Sequence, residues 1–350
     1  MTTPPEPAIL TRVDGHVGRI TLNRPETLNA LTLEMVRLIN AALDRFESNE
    51  SIATVIIDGA GDRALCAGGD IRSIYEAALS GDPSPRIFWE EEYRLNARIA
   101  RYSKPIVAVM AGIVMGGGVG ISAHASHRVV TDTSVIAMPE VGIGFAPDVG
   151  GTWLLSRSPG ELGTHVALTT ERLGAADAIT CGFADSFVAT GDLSALYLAV
   201  ESVEADRAIR STATEPPAGR LAAFSSWINK CYTPDSSEEI IDRLHRYGGD
   251  ALIAAGEVAA KSPTAIKVTL RALRQARELP SLERCLEMEY RVSTTFLGTP
   301  DFIEGVRAAV IDKDRSPKWR PSRLEEVGNI DRFFISHTDD LHLTSKEGAR

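Results

Sequence analysis

The apolar run Ile106-Val-Ala-Val-Met110 continues through Ala-Gly-Ile-Val-Met115 into three consecutive glycines, Gly116–Gly118. An apolar run closed by glycines reads as a buried strand with a tight exit, followed by a helix packed close against it. Strand–turn–helix units of this kind build α/β folds. A glycine turn entering a helix also leaves backbone N–H groups facing outward, where an oxyanion can sit. Downstream, Met138-Pro-Glu-Val-Gly-Ile-Gly-Phe-Ala-Pro-Asp-Val-Gly-Gly151 sets two carboxylates, Glu140 and Asp148, eight residues apart. Proline precedes each acid and restrains its backbone. Glycine-framed N–H donors beside carboxylates are the parts of acyl chemistry.

Similar units recur along the chain. Residues 17–23 alternate as a strand and end at Arg24-Pro25. Thr32 is placed to cap a helix with apolar Met35, Leu38, Ile39 and Leu43. Residues 53–58 read as a second buried strand, 106–110 as a third and 128–131 as another, while Ala64–Asp70 leads from a short strand through a turn into a helix over 71–79. From about Leu221 the texture becomes helical, with helices expected over 238–247, 265–278, 282–295 and 301–310. The expected organisation is a catalytic core over 1–200, a helical region over 201–320 and a loosely held polar tail over 321–350.

Composition bounds the function. The 350 residues are 44% hydrophobic, enough for one large core or a core with an appendage. A net charge of −10 without a basic run disfavours nucleic acid as a partner. No apolar run reaches the length of a membrane span. Cys66, Cys181, Cys231 and Cys285 form no CxxC pair, and the N-terminal residues lack signal or transit features. The expectation is a cytoplasmic protein. His124, His127 and His165 lack metal-ligand spacing, so no metal site is expected.

Each chemical motif has a plainer alternative. Leu65-Cys-Ala-Gly-Gly-Asp-Ile71 can be a tight turn with Asp70 capping the next helix, or it can offer the Gly69 N–H to a carbonyl oxygen. Gly116–Gly118 can serve close packing alone, or can offer the Gly117 N–H as a second donor. It is neither a dinucleotide fingerprint nor a P-loop. Glu140 and Asp148 can be helix-start acids, or partly buried acids with raised pKa values suited to proton transfer. The acidic cluster around Glu92 reads first as a solvated helix face.

The Cys-Ala-Gly-Gly-Asp-Ile and Met-Gly-Gly-Gly segments resemble the two oxyanion loops of the enoyl-CoA hydratase/isomerase (crotonase) superfamily. The resemblance implies an α/β fold, a ClpP/crotonase-like spiral of ββα units with a helical C-terminal region. It also implies an acyl-CoA substrate, with Gly69 and Gly117 holding the thioester carbonyl. Leu28-Asn-Ala-Leu31 is similar to the family loop beside adenine and pantetheine, so Leu28, Ala30, Ala67 and Asp70 are expected around the substrate. Hydratases of the family typically carry two catalytic glutamates. Here Glu140 matches one and Gly120 stands in place of the other.

A closer likeness, over almost the whole length, is to the superfamily's 3-hydroxyisobutyryl-CoA hydrolase branch. It rests on the Glu140 and Asp148 segment, Glu91-Glu-Tyr-Arg-Leu-Asn96, Ser262-Pro-Thr264, Met288-Glu-Tyr-Arg291 and the block Glu304–Trp319. That likeness implies hydrolysis of a short 3-hydroxyacyl-CoA, 3-hydroxyisobutyryl-CoA first, as in valine catabolism. Glu140 and Asp148 would be catalytic and Glu92 would contact substrate. No metal or redox cofactor is implied, since CoA belongs to the substrate, and homo-oligomers are common in the superfamily. A hydratase or isomerase using Glu140 alone, and a non-catalytic acyl-CoA binder, stay open as alternatives. Arg24, Arg63 and Lys104 are candidates for the CoA phosphates, by nearness in sequence to these loops.

Overall fold

The computed structural model describes residues 6–336 and 340–343. β1 (Ile9–Asp14) and β2 (Val17–Leu22) form an antiparallel hairpin, and α1 (Leu33–Ser48) follows. β3 (Thr54–Gly59) and β4 (Ala64–Cys66) lead to α2 (Ile71–Ser80) and α3 (Ser84–Ala100). β5 (Ile106–Met110) and β6 (Ile113–Met115) lead to α4 (Gly117–Ser122). β7 (His127–Val130) and β8 (Val135–Ala137) precede α5 (Gly151–Arg157), and β9 (Ser186–Phe187) closes the strand set.

The strands sort into two sheets. One has the order β1-β2-β3-β5-β7-β9 and the other β4-β6-β8. Each turn of the chain therefore adds one strand to the large sheet and one to the small one. All pairings after β1–β2 are parallel, with Val107 opposite His127 in the large sheet and Ile113 opposite Val135 in the small one. This is the expected spiral of ββα turns. Side-chain alternation divides the large sheet's faces. Ile56, Val107, Val109 and Val129 pack with Leu196, Val200, Ala208 and Ile209, whereas Val55, Ile57, Ile106, Ala108 and Met110 belong to the main core. The helices over Leu193–Val200 and Ala205–Thr212, in a stretch with little sequence signal, thus cover one face of the sheet.

Local signals act where the sequence places them. Thr32 caps α1 through the Met35 N–H, and Met35, Val36, Ile39, Leu43 and Phe46 form its buried stripe. Ser262 and Ser281 cap the helices Pro263–Glu278 and Leu282–Phe296. Their apolar residues join the same core as β3 and β5. The helix expected over 301–310 ends earlier. It spans Pro300–Val306 and widens into a π turn over Arg307–Ile311. Gly305 crosses the backbone of Ile143 so closely that a Cβ there would lie 2.3 Å from its carbonyl. The described part of the expected loose tail is anchored rather than free. Phe333 and Leu341 are buried, Phe333 packs on Phe296, and the Leu343 N–H donates to Glu287. Two apolar side chains among polar ones are enough to dock it.

Candidate active site

Both glycine loops end at the small sheet. Gly68 follows β4 with φ +108°, and Gly116 follows β6 with φ +47°, backbone that favours glycine. The two turns touch. A Cβ on Gly68 would lie 3.3 Å from the Met115 carbonyl, and one on Gly117 would lie 3.4 Å from the Gly69 nitrogen. Among the described residues, neither the Gly69 nor the Gly117 N–H has an acceptor. Two free donors therefore stand side by side, as an oxyanion requires.

The acids arrive from separate elements. Glu92 comes from α3, Glu140 opens the 3-10 turn Glu140–Ile143, and Asp148 lies just before α5. All three are buried and line one cavity of about 200 Å3, together with Ala67, Gly69, Gly117, Phe88 and Trp89. Ile143, Phe145 and Val310 complete its apolar wall, so the C-terminal π turn helps to close the site. Glu92 is no solvated helix face: it is only 2% exposed. A Cβ on Gly117 would lie 2.4 Å from Glu92 Oε1, and one on Gly116 would lie 3.1 Å from Glu140 Oε1. Glu92 Oε1 and Glu140 Oε2 are buried without a hydrogen-bond partner in the protein. Orphaned buried oxygens at a cavity wall are atoms awaiting a ligand or water.

Burial raises every one of these acids. It is the main cause that holds Glu92 and Glu140 well above the carboxylate range, and the Asp148 charge adds to both. Asp148 is pushed up to about 7 by burial, against the opposing hydrogen bond from Tyr93. Tyr93 donates to Asp148 Oδ2 over 2.6 Å, and its oxygen lies 2.8 Å from Ser293 Oγ. Glu289 is raised to about 8 by burial, although the N–H groups of Gly150 and Thr152 donate to it at 2.6 and 2.9 Å. Near neutral pH the cluster shares protons and charge as a unit.

The chain is similar to known proteins along nearly its whole length. The family profile described as enoyl-CoA hydratase/isomerase matches residues 17–334. The chain belongs to the enoyl-CoA hydratase/isomerase family. Proteins named 3-hydroxyisobutyryl-CoA hydrolase, mitochondrial, are 41% identical in Danio rerio and 42% identical in Homo sapiens. The alignments cover 94% and 92% of this chain, and 90% and 86% of those proteins. A crystal structure described as a carnitinyl-CoA dehydratase from Mycobacterium thermoresistibile is 47% identical, with a TM-score of 0.93, covering 97% of this chain and 99% of that one. One described as an enoyl-CoA hydratase from Rhodobacter sphaeroides is 41% identical, with a TM-score of 0.87, covering 93% and 96%.

Within this family, Gly120 is the informative departure. A Cβ there would lie 2.7 Å from Val149 Cβ and 2.8 Å from Asn96 Nδ2. The space for a second glutamate on α4 is filled by side chains from α3 and the Asp148 loop.

Other expected residues sit around the cavity rather than on it. Leu28 and Ala30 line neither this cavity nor its neighbour. The Leu28 carbonyl instead accepts from the Ala67 N–H, which fixes the first oxyanion loop from behind. Asp70 caps α2 through Ser73 and lines an adjoining hollow of about 140 Å3, which shares Ile74 and Phe88 with the main cavity. Arg24 is 3.8 Å from Asp70 at that rim.

Lys104 is elsewhere. Its ammonium donates to the Phe46 and Asn49 carbonyls at the end of α1. It precedes β5, whereas the glycine loops follow the strand ends. Along the chain, β5, whose five residues span roughly 16 Å, and then β6 lie between Lys104 and Gly116. Arg63 is exposed in the β3–β4 turn, away from the cavity wall. The sequence does not single out Tyr93, Ser293 or Glu289 as site residues, although Tyr93 lies in Glu91–Asn96 and Glu289 in Met288–Arg291. Their signal was adjacency to an acid, which carries no direction in space.

Proposed function

We propose that this chain hydrolyses a short 3-hydroxyacyl-CoA thioester, 3-hydroxyisobutyryl-CoA first, releasing the 3-hydroxy acid and CoA. The observation that carries this reading is the set of acids at the cavity: Glu140 stands with Asp148 and Glu92, and Gly120 has no room for a second hydratase glutamate. The vertebrate relatives named for this hydrolysis support it.

The thioester oxygen accepts from the Gly69 and Gly117 N–H groups, each worth ~3–4 kcal/mol as the tetrahedral oxyanion forms. Tyr93 favours the charge on Asp148 in the resting site. A proton passing from Glu140 to Asp148 moves the charge to Glu140, which then attacks the acyl carbon or takes a proton from water. The C–S bond breaks as Asp148 protonates the departing sulfur, and CoA leaves as the thiol. Where Glu140 has attacked, water then cleaves the Glu140 mixed anhydride, its proton taken by Asp148 and returned to Glu140, which frees the 3-hydroxy acid. Glu92 Oε1 is free to hold the 3-hydroxyl. The scheme uses side chains, backbone N–H groups and water, with no metal or redox cofactor. Arg24 at the rim is the cation we propose for the CoA phosphates.

The deciding test is thiol release from 3-hydroxyisobutyryl-CoA beside loss of crotonyl-CoA absorbance, for wild type, Glu140→Gln and Asp148→Asn. Thiol release lost in both variants, with no hydration, is expected. Hydration without thiol release returns the chain to the hydratase reading, and binding without turnover to the acyl-CoA binder. In a single turnover in labelled water, 18O entering Glu140 favours attack by Glu140, and its absence favours attack by water.

We propose a cytoplasmic protein: its four free, buried cysteines fit a reducing compartment, while the relatives cited above are named mitochondrial. Cell fractionation decides between the two. Among the described residues no helix is long and apolar enough to cross a membrane. A homo-oligomer is proposed from superfamily likeness, to be tested by light scattering.

A further inference from the structure

The motif Met288-Glu-Tyr-Arg291 lies on the helix Leu282–Phe296 and has no part in the scheme above. Glu289 and Ser293 are one turn apart on that helix and reach Asp148 by two routes. Ser293 Oγ lies 2.8 Å from the Tyr93 oxygen, and Tyr93 donates to Asp148. Glu289 holds the N–H groups of Gly150 and Thr152, in the segment that immediately follows Asp148. Tyr93 and Ser293 are buried and neither lines the cavity, so neither touches substrate.

We propose that Tyr93 is a positioning residue for Asp148, fixed by Ser293, so that the C-terminal helix sets the protonation of the reacting acid. The proposal rests on the hydrolase reading of Asp148. Glu92 on α3, Glu140 on its turn and Glu289 on the C-terminal helix all face Asp148, whose charge raises each of them. His124, at the end of α4, bonds the Val149 carbonyl and stays neutral, its pKa lowered to about 4 by burial. Among the described residues, Tyr93 supplies the one side-chain donor to Asp148. A donor fixed on Oδ2 favours the carboxylate and leaves Oδ1 for the cavity. If Ser293 donates to the Tyr93 oxygen, it strengthens Tyr93 as a donor in turn.

The test is kcat/KM for thiol release across about pH 5–9 for wild type, Tyr93→Phe, Ser293→Ala and Asp148→Asn. Tyr93→Phe is expected to move the acid limb up by about one pH unit, a tenfold loss near neutrality that recovers at high pH. Ser293→Ala is expected to move it the same way by less, and carries the test if Tyr93→Phe fails to fold. A loss equal at every pH, or an unmoved limb in both variants, overturns the proposal and leaves Tyr93 as packing. Full thiol release by Asp148→Asn overturns the reading of Asp148 itself, and the proposal with it.

Discussion

Two adjacent glycines are expected to fail in opposite ways. In Gly117→Ala the new methyl would meet Glu92 Oε1 at 2.4 Å and Leu31 Cδ1 at 3.1 Å. Both are far ends of flexible side chains. Ordinary contact begins near 3.4 Å, so the Glu92 carboxyl retreats by about 1 Å and the fold adjusts. Alanine in a helix is also favoured over glycine by about 0.5–1 kcal/mol, which offsets part of the crowding. In Gly118→Ala the methyl would meet the Cys66 backbone carbonyl at 2.2 Å. That carbonyl ends β4 and cannot swing away, so the cost falls on the fold, about 1–3 kcal/mol or more.

Gly117→Ala should therefore keep a near-native melting temperature while kcat for thiol release falls about 100-fold or more. A misplacement of about 1 Å of a group that positions the substrate is worth that factor, and partial shielding of the Gly117 N–H adds to it. Gly118→Ala should lose stability as well as activity. Thiol-release kinetics and calorimetry on the two variants give the answer. A Gly117→Ala protein with kcat within about threefold of wild type would refute the placement of Gly117 at the reacting carbonyl and of Glu92 on the substrate beside it. Equal destabilisation of both variants would refute the distinction between side-chain and backbone neighbours.

Two further outcomes follow from particular contacts. Asp148 has an ordinary value of 3.8 and is pushed to about 7 in the folded chain, so between those values the folded state binds more protons than the unfolded one. Its contribution to stability therefore falls as pH rises through that window and is lost above it. Asp148→Asn removes this loss: urea denaturation should find its stability relative to wild type rising from pH 4 to pH 8, and a constant difference would contradict the burial argument. Lys104→Met should lower the melting temperature by removing two bonds to the end of α1, with KM for the acyl-CoA unchanged. A raised KM would restore Lys104 as a phosphate ligand.

Much of this protein is legible in the chain because the decisive signals are local. A helix cap such as Thr32 before α1, an apolar run such as Ile106–Met110, and glycines where φ is positive depend on near neighbours, and each lies where the sequence places it. The two loops and the pair Glu140 and Asp148 likewise lie within short, glycine-framed stretches. The tertiary structure alone brings Glu92 from α3 onto Gly117, fills the place above Gly120 with Asn96 and Val149, and sets Val310 in the cavity wall. It also leaves Lys104 before β5, bonded to the end of α1, although only two short strands separate it in sequence from Gly116. The physical reason is that a parallel spiral gathers its strand ends from distant turns of chain, while a strand itself separates its own two ends. Nearness in sequence predicts a cap or a turn, and it says little about which side chains share a buried cavity and one another's charge.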